Sequence, residues 1–165
     1  MQYHELRQFR DLCGRPERIC WVVAEYQGKR SICPLGWKMW TSSEPPMMAI
    51  SVAPARFSHE LILRSREFVL AWPGAELAEA TLLAGTRSGR NIDKFAEAGL
   101  TALPARLVTA PLVGECLANL ECQLVSQLST GDHTIFVGQI VAVHLTHPEG
   151  KPLLSIGQGE GYEFL

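Results

Sequence analysis

The side chains that do covalent chemistry in proteins are present in this chain, but not in working arrangements. No Ser-His-Asp or Cys-His pattern stands out, and no two carboxylates have the spacing of an acid–base pair. His4, His144 and His147 join no constellation. His133, which starts a predicted strand beside a tight turn, is the ionisable group of most interest. The five cysteines (Cys13, Cys20, Cys33, Cys116 and Cys122) form no CxxC pair and have no ligand-like histidine neighbours. They read as reduced thiols, mostly small buried hydrophobes, and a zinc site is not expected. What the chain offers instead is binding chemistry. Arg56 and Ser58 stand at the start of a predicted helix, where unsatisfied backbone N–H groups favour an anion. The loop-like run Ser31 to Pro46, SICPLGWKMWTSSEPP, carries Trp37 and Trp40, several hydroxyls, a Cys33-Pro34-Leu35-Gly36 turn and a double proline. Such a segment is poor core material and good material for cradling a ligand. Any chemistry then belongs to a bound cofactor.

The elements that must position these residues are mostly strands. Tyr3 to Leu12 reads as a short amphipathic helix ended near Gly14-Arg15-Pro16. Arg18 to Tyr26 and Arg30 to Cys33 read as strands joined by a turn at Gln27-Gly28-Lys29, and Met47 to Val52 as a third strand after the cradle run. Arg56 to Arg66 has helical periodicity, and Glu67 to Trp72 is a strand closed by Pro73-Gly74. Ala75 to Ala84 and Asn91 to Ala98 are predicted helices, the second capped by Asn91 and terminated by Gly99. Cys116 to Leu128 and His133 to His144 form a hairpin around Ser129-Thr130-Gly131-Asp132. Its first arm alternates Leu120, Cys122 and Leu124 with Asn119, Glu121 and Gln123, which predicts one wet face. Its second arm is apolar on both sides and needs cover on both, for which a barrel interior and a second subunit are one solution.

Length and charge exclude several classes. The 165 residues fit one domain, 1–165, and 47% hydrophobic content is ample for a core. Fifteen basic against seventeen acidic residues imply no nucleic-acid or membrane-binding surface. No apolar run approaches the roughly 20 residues needed to span a bilayer. The polar, charged N-terminus does not read as a signal peptide, and a cytoplasmic protein is expected. There is no GxGxxG after a strand and no Walker-type loop, so a nucleotide-like ligand must be held in another way. Short strands with interspersed short helices suggest a small barrel, not a parallel α/β sheet.

The run Ser31-Ile32-Cys33-Pro34-Leu35-Gly36-Trp37, then Ser42, then Pro45-Pro46, resembles the flavin reductase-like family of FMN-binding split barrels, which includes the flavoredoxins. Further matches follow in order: Ser51 to His59 with Arg56 and Ser58, Glu67 to Leu70, Ser88-Gly89, Asp93-Lys94-Phe95, and Gly131-Asp132-His133 leading into Val137 to Val141. The likeness covers roughly residues 18 to 145. It implies a mainly β fold, an antiparallel Greek-key split β-barrel with a few short peripheral helices, and a homodimer. It implies FMN as cofactor in preference to FAD, and NAD(P)H as a possible electron donor.

By resemblance, Cys33, Pro34, Leu35, Gly36 and Trp37 line the isoalloxazine slot, where backbone N–H and C=O groups meet the pyrimidine edge. Trp37 stacks on or flanks the ring, or else is a surface or dimer-interface tryptophan. Arg56 and Ser58 are phosphate-binding positions by the same resemblance, helped by Ser42 and Ser51. The residues alone leave open that Ser58 only caps the helix and Arg56 is solvated. Lys94 adds charge to the phosphate or pairs locally with Asp93. His133 lies near the exposed side of the flavin, at nicotinamide or substrate, or faces water at the end of the hairpin. The chain departs from the family at Ser31 and Cys33-Pro34, where many relatives have Asn and then Met-Thr or Ala-Thr; the lost threonine hydroxyl removes one possible hydrogen bond to the flavin. The glycine-rich tail from Leu153 to Leu165 folds over the site or lies against the partner. Two functions are implied. One is an oxidoreductase passing electrons from NAD(P)H to free flavin, iron or a protein acceptor. The other is a non-enzymatic flavin-binding electron carrier without its own NAD(P)H activity.

Overall fold

The computed structural model describes residues 3–158 and 162–164. In chain order the elements are α1 (Tyr3–Cys13), β1 (Glu17–Arg18), β2 (Cys20–Tyr26), β3 (Lys29–Leu35), β4 (Lys38–Ser43), β5 (Pro46–Val52), α2 (Phe57–Ser65) and β6 (Glu67–Trp72). A short 3-10 turn leads into α3 (Ala78–Thr86), followed by α4 (Lys94–Glu97), β7 (Ala102–Leu103), β8 (Leu112–Val113), β9 (Ala118–Thr130), β10 (His133–Leu145), β11 (Leu154–Gln158) and β12 (Tyr162–Phe164).

Seven strands form one antiparallel sheet in the order β3-β2-β6-β9-β10-β5-β4. Its two edge strands, β3 and β4, are consecutive in the chain, so the backbone steps across the opening between the edges at Gly36 and Trp37. This is the split of the expected barrel: mainly β and antiparallel, and not closed. The run Ser31 to Pro46 is therefore not the loop that its Pro, Gly and Trp content suggests. It is most of one edge strand, the step across the split and the whole of the other. An edge strand tolerates proline because half of its N–H groups face away from the ladder. The Ile32 carbonyl points off the free edge of β3, and Pro34, two residues on, falls on that same edge.

Both faces of the central strands are buried. On one side Val22, Leu70, Phe68, Cys122 and Phe136 pack with Phe57, Leu61 and Ile62 of α2. On the other, Trp21, Val23, Val69 and Ala71 pack under Ala84 of α3 and Phe95 of α4. Burying one such side chain contributes roughly 1.5–3 kcal/mol. These two layers hold the short helices in place, since helices of this length have little stability of their own.

The hairpin is longer and tighter than expected. His133 pairs with Thr130, so the turn is Gly131-Asp132 alone, with Gly131 at φ 54° supplying the left-handed residue. The face of β9 expected to be wet is so at Gln123, which is exposed, but not at Asn119 and Glu121, which are fully buried. Asn119 accepts from the Val113 N–H and donates to the Val113 carbonyl, a small internal clamp. The other face of β10 is half covered, and Val143 and Leu145 are exposed. The helix expected from Asn91 starts at Lys94 instead. Asp93 is its cap, its carboxylate accepting from the Phe95 N–H, and it also pairs with Arg30. Of the tail, β11 pairs with β1 and β12 with β11; Gly159, Gly161 and Leu165 lie outside the described residues. All five cysteines are free thiols, and burial pushes Cys20 and Cys122 up to about 12. Among the described residues no helix is long and apolar enough to cross a membrane.

Candidate functional site: a slot at the split and a cationic pocket behind it

The opening between β3 and β4 is a cavity of about 400 Å³. Cys33, Pro34, Leu35, Gly36 and Trp37 form one wall as the chain leaves β3, and Ser51, Val52 and Ala53 form the facing wall at the end of β5. The Ser51 N–H donates to the Trp37 carbonyl (3.0 Å), which ties the two walls together where the chain crosses the split. The expected slot residues Cys33 to Trp37 are thus brought together on one cavity.

The mouth carries the polar side chains. Trp37 is 42% exposed, with His133 at 4.8 Å between ring centroids and the Arg10 guanidinium 4.9 Å from its ring. His133 Nδ1 lies 2.7 Å from the Asp132 carboxylate, and hydrogen bonding to His133 holds the Asp132 carboxyl below its ordinary range. In the neutral imidazole, a carboxylate at Nδ1 makes that nitrogen the N–H donor and leaves Nε2 as acceptor. Arg15 is held by Glu17 (3.0 Å) and by Ser155 of β11 (2.7 Å), so the tail orders one side of the mouth from behind. Arg10, Arg15, Glu17 and Asp132 were not among the expected site residues. Nothing in the local pattern of α1 says that it lies across the split; only the tertiary fold places it there.

Behind the slot, sharing Cys33 and Arg56 with it, is a smaller pocket of about 130 Å³. It sits at the N-terminus of α2, which no side chain caps: Arg56 is the N-cap residue, with φ −75° and ψ 135°. The first-turn N–H groups of a helix carry a partial positive charge and attract anions. Ser58, in that first turn, is 1% exposed, and among the described residues its hydroxyl has no hydrogen-bond partner. Lys94, on α4, is 5% exposed; its ammonium donates to the Ile32 carbonyl (2.6 Å) and to the Ala84 carbonyl. An ammonium has three donors, so one is left for a ligand. Arg87 completes a lining with three cations and no carboxylate. Burial brings the Lys94 ammonium down to about 8, with the Arg56 charge adding to the effect and Cys33 opposing it. Burial also pushes the Cys33 thiol up, against the pull of Arg56 and Lys94. Gly89 closes the pocket floor; a Cβ there would stand 2.5 Å from Ser31 Oγ.

A buried cation without an anion, an orphaned buried hydroxyl and an uncapped helix N-terminus form a donor set for phosphate. The residues present therefore fit a flavin mononucleotide: a cavity of about 400 Å³ between the edge strands for the ring, and an anion pocket that shares Cys33 and Arg56 with it for the phosphate. Lys94 does not pair with Asp93, and Ser58 does not cap α2. Ser42 alone is not brought to the groove. It lies on β4 opposite Met47, beyond the bulge that follows Trp40, on the run that leads away from the split. Among the described residues no cluster of acidic, histidine and cysteine side chains is arranged to hold a metal ion.

Comparison with known proteins agrees with this geometry. An uncharacterized protein of Archaeoglobus fulgidus is 38% identical over 141 residues, covering 83% of this chain and 78% of its own length. The flavoredoxin of Methanosarcina acetivorans superposes with a TM-score of 0.82 at 26% identity, over 91% of this chain and 85% of that one. An FMN-binding protein of Thermus thermophilus, crystallised with 1-cyclohex-2-enone, superposes at 0.79 with 27% identity, over 90% and 86%. Residues 14–160 match the family model described as a flavin reductase like domain, and the chain belongs to that family.

Proposed function

We propose that this protein binds FMN and works as a cytoplasmic, homodimeric oxidoreductase that takes electrons from NAD(P)H and passes them to free flavin, iron or a protein acceptor. The observation that carries the reading is the pocket of Ser58, Lys94 and Arg56, one groove with a ring-sized slot. FMN, when bound, supplies one- and two-electron redox chemistry. The chain's part is binding and access. Backbone groups from Cys33 to Trp37 and at Ser51 address the edge of the ring, with Ser51 fixed to Trp37. Ser58, Lys94 and the first-turn amides of α2 hold the phosphate and exclude water from it. Trp37 narrows the mouth. His133, its Nδ1 proton held by Asp132, presents Nε2 as an acceptor where a nicotinamide or another substrate would enter.

The homodimer is supported by the uncovered apolar surface on β4, β9 and β10, where Trp40, Leu128, Val143 and Leu145 are each more than half exposed. The free thiols suit a reducing compartment. A second reading is favoured by the likeness to flavoredoxins: a carrier that is reduced by a partner and has no NAD(P)H activity of its own. Purified protein titrated anaerobically with NADH and NADPH separates the two. Bleaching of the yellow flavin bands by either nucleotide supports the reductase. Flavin bands that respond only to dithionite support the carrier, and colourless protein that takes up no FMN at micromolar concentration rejects both. Sedimentation velocity checks the dimer, and a monomer with an intact flavin site would reject that part.

A further inference from the structure

The charged side chains on the lining of the slot are accounted for within the chain, with one exception. Arg15 is held by Glu17 and Ser155, and Asp132 lies on His133 Nδ1. Arg56 donates to the Gly85 carbonyl (3.2 Å) and lines the anion pocket behind. Arg10 is the remaining cation. Among the described residues its guanidinium has no carboxylate or carbonyl partner, and it stands 4.9 Å from the centroid of the Trp37 ring. An aromatic ring attracts a guanidinium and helps to hold it, but it leaves the five N–H donors unbonded. A guanidinium kept in place with its donors free matches a carboxylate or a phosphate.

The element that carries Arg10 does little else for the fold. α1 is exposed from His4 to Cys13 and packs against β11, the strand whose Ser155 holds Arg15 at the mouth. A helix that buries so little surface adds little to the core. What it brings to the cavity is one cation, set beside Trp37 and His133, whose rings lie 4.8 Å apart.

We propose that Arg10 is a specificity-determining residue, which favours redox substrates that carry an anionic group, a phosphate or a carboxylate. It holds that group at the mouth while the uncharged, reacting part of the substrate passes Trp37 and His133. The inference rests on the oxidoreductase reading and narrows its substrates. The phosphates of a pyridine nucleotide and the carboxylates of an iron chelate share this chemistry, and the test separates them. A donor or acceptor without charge gains nothing from Arg10.

Anaerobic stopped-flow kinetics of the FMN-loaded protein tests this, using wild type, Arg10→Gln and Arg10→Lys; Arg10 is exposed, so both variants should fold. Two matched pairs are needed. The donors are NADH and 1-benzyl-1,4-dihydronicotinamide, which has the same hydride-donating ring and no phosphate. The acceptors, mixed with protein reduced by dithionite, are ferric citrate and uncharged 1,4-benzoquinone. Arg10→Gln should raise the half-saturating concentration of the anionic member of at least one pair about tenfold, with its limiting rate within about twofold. The uncharged member should move by less than about twofold, and the pair that responds identifies the substrate. Arg10→Lys keeps the charge and should recover part of the loss. Raising salt from about 0.05 M to about 0.5 M should weaken the same anionic substrate in wild type and leave Arg10→Gln unmoved. No change for either anionic substrate overturns the proposal. So does an equal loss for charged and uncharged members, which would make Arg10 a support for Trp37 alone. If neither donor bleaches the flavin, NAD(P)H activity falls by itself, and the acceptor pair still decides the role of Arg10. If the protein takes up no FMN, the oxidoreductase reading falls and takes this one with it.

Discussion

Two buried ionic positions in this molecule look alike in a list of residues and are opposite in physics. Glu121, on β9, is fully buried, and its carboxylate is saturated by its own chain. It accepts from the N–H groups of Arg106 (2.8 Å), Leu107 (2.6 Å) and Val108 (3.1 Å), and His144 Nε2 lies 2.6 Å away. Lys94 is almost as deeply buried, but its partners are two carbonyls, and the hydroxyl of Ser58 on the same pocket has none. A buried charge that is fully bonded within the chain is structure: it pins residues 106–108 to the sheet. A buried charge left without a counter-charge costs stability unless something else supplies it. The contrast separates the part of the molecule that folds it from the part that binds.

The comparison can be broken at either end. Glu121→Ala should have the largest effect, about 3–5 kcal/mol of lost stability, because three amides and a histidine lose their acceptor at once. Urea denaturation would measure it. FMN affinity below the melting point should stay within about twofold, since Glu121 touches neither cavity of the flavin site. Its linkage to pH has a definite sign. Burial pushes the Glu121 carboxyl up, but the Arg106 and Leu107 amides and His144 outweigh it and hold it below its ordinary 4.5. Its contribution is therefore present above 4.5 and lost as pH falls through the lower, folded value. Wild type should lose stability relative to Glu121→Gln on that acid limb.

Lys94→Met should do the reverse. The free protein should be as stable or more so, because an unpaired ammonium leaves the interior. FMN should bind about 30–150-fold more weakly, the worth of roughly 2–3 kcal/mol for a charged hydrogen bond, with riboflavin unchanged. Titration of both ligands into both proteins decides this, and a large loss of stability would mean that Lys94 is structural after all. The pH dependence follows from the same group. Since Lys94 titrates near 8 in the free protein, binding phosphate above that pH must first take up a proton. FMN affinity should therefore fall by up to about tenfold per pH unit above 8, relative to riboflavin, and the fall should vanish in Lys94→Met. The smallest effect belongs to Ser58→Ala: a loss of about 1 kcal/mol in FMN affinity, roughly fivefold, with no loss of stability. A marked fall in melting temperature would show that its hydroxyl has a partner within the chain.

How much of this was legible in the sequence depended on whether a local pattern had a local cause. Glu67 to Trp72 was readable as a strand because Pro73-Gly74, a chemical boundary, closes it; the left-handed Arg66 that precedes it shows only in the structure. Arg56 and Ser58 were readable because a helix start is a local event. Alternation on β9 misled, because polar residues were equated with water; Asn119 and Glu121 face inward and are satisfied by a loop more than ten residues away for Glu121 and by Val113 for Asn119. The run Ser31 to Pro46 misled in the other direction. Proline, glycine and tryptophan signal a loop, yet all are compatible with the free edge of a sheet, and no local pattern shows that two consecutive strands will lie at opposite edges. Arg10 at the mouth, and Lys94 turned inward while Asp93 pairs with Arg30, are decided by packing alone.

The central claim is that the pocket of Ser58, Lys94 and Arg56 exists for a flavin phosphate, and the most direct measurement is the ratio of FMN to riboflavin affinity in the wild-type protein at pH 7. The two ligands share the ring and differ by the phosphate alone. FMN should bind at least about 100-fold more tightly, since the phosphate gains several charge-assisted hydrogen bonds in a buried pocket. Equal affinities, or tighter binding of riboflavin, would contradict the account: the buried cation and the orphaned hydroxyl would have no ligand to explain them.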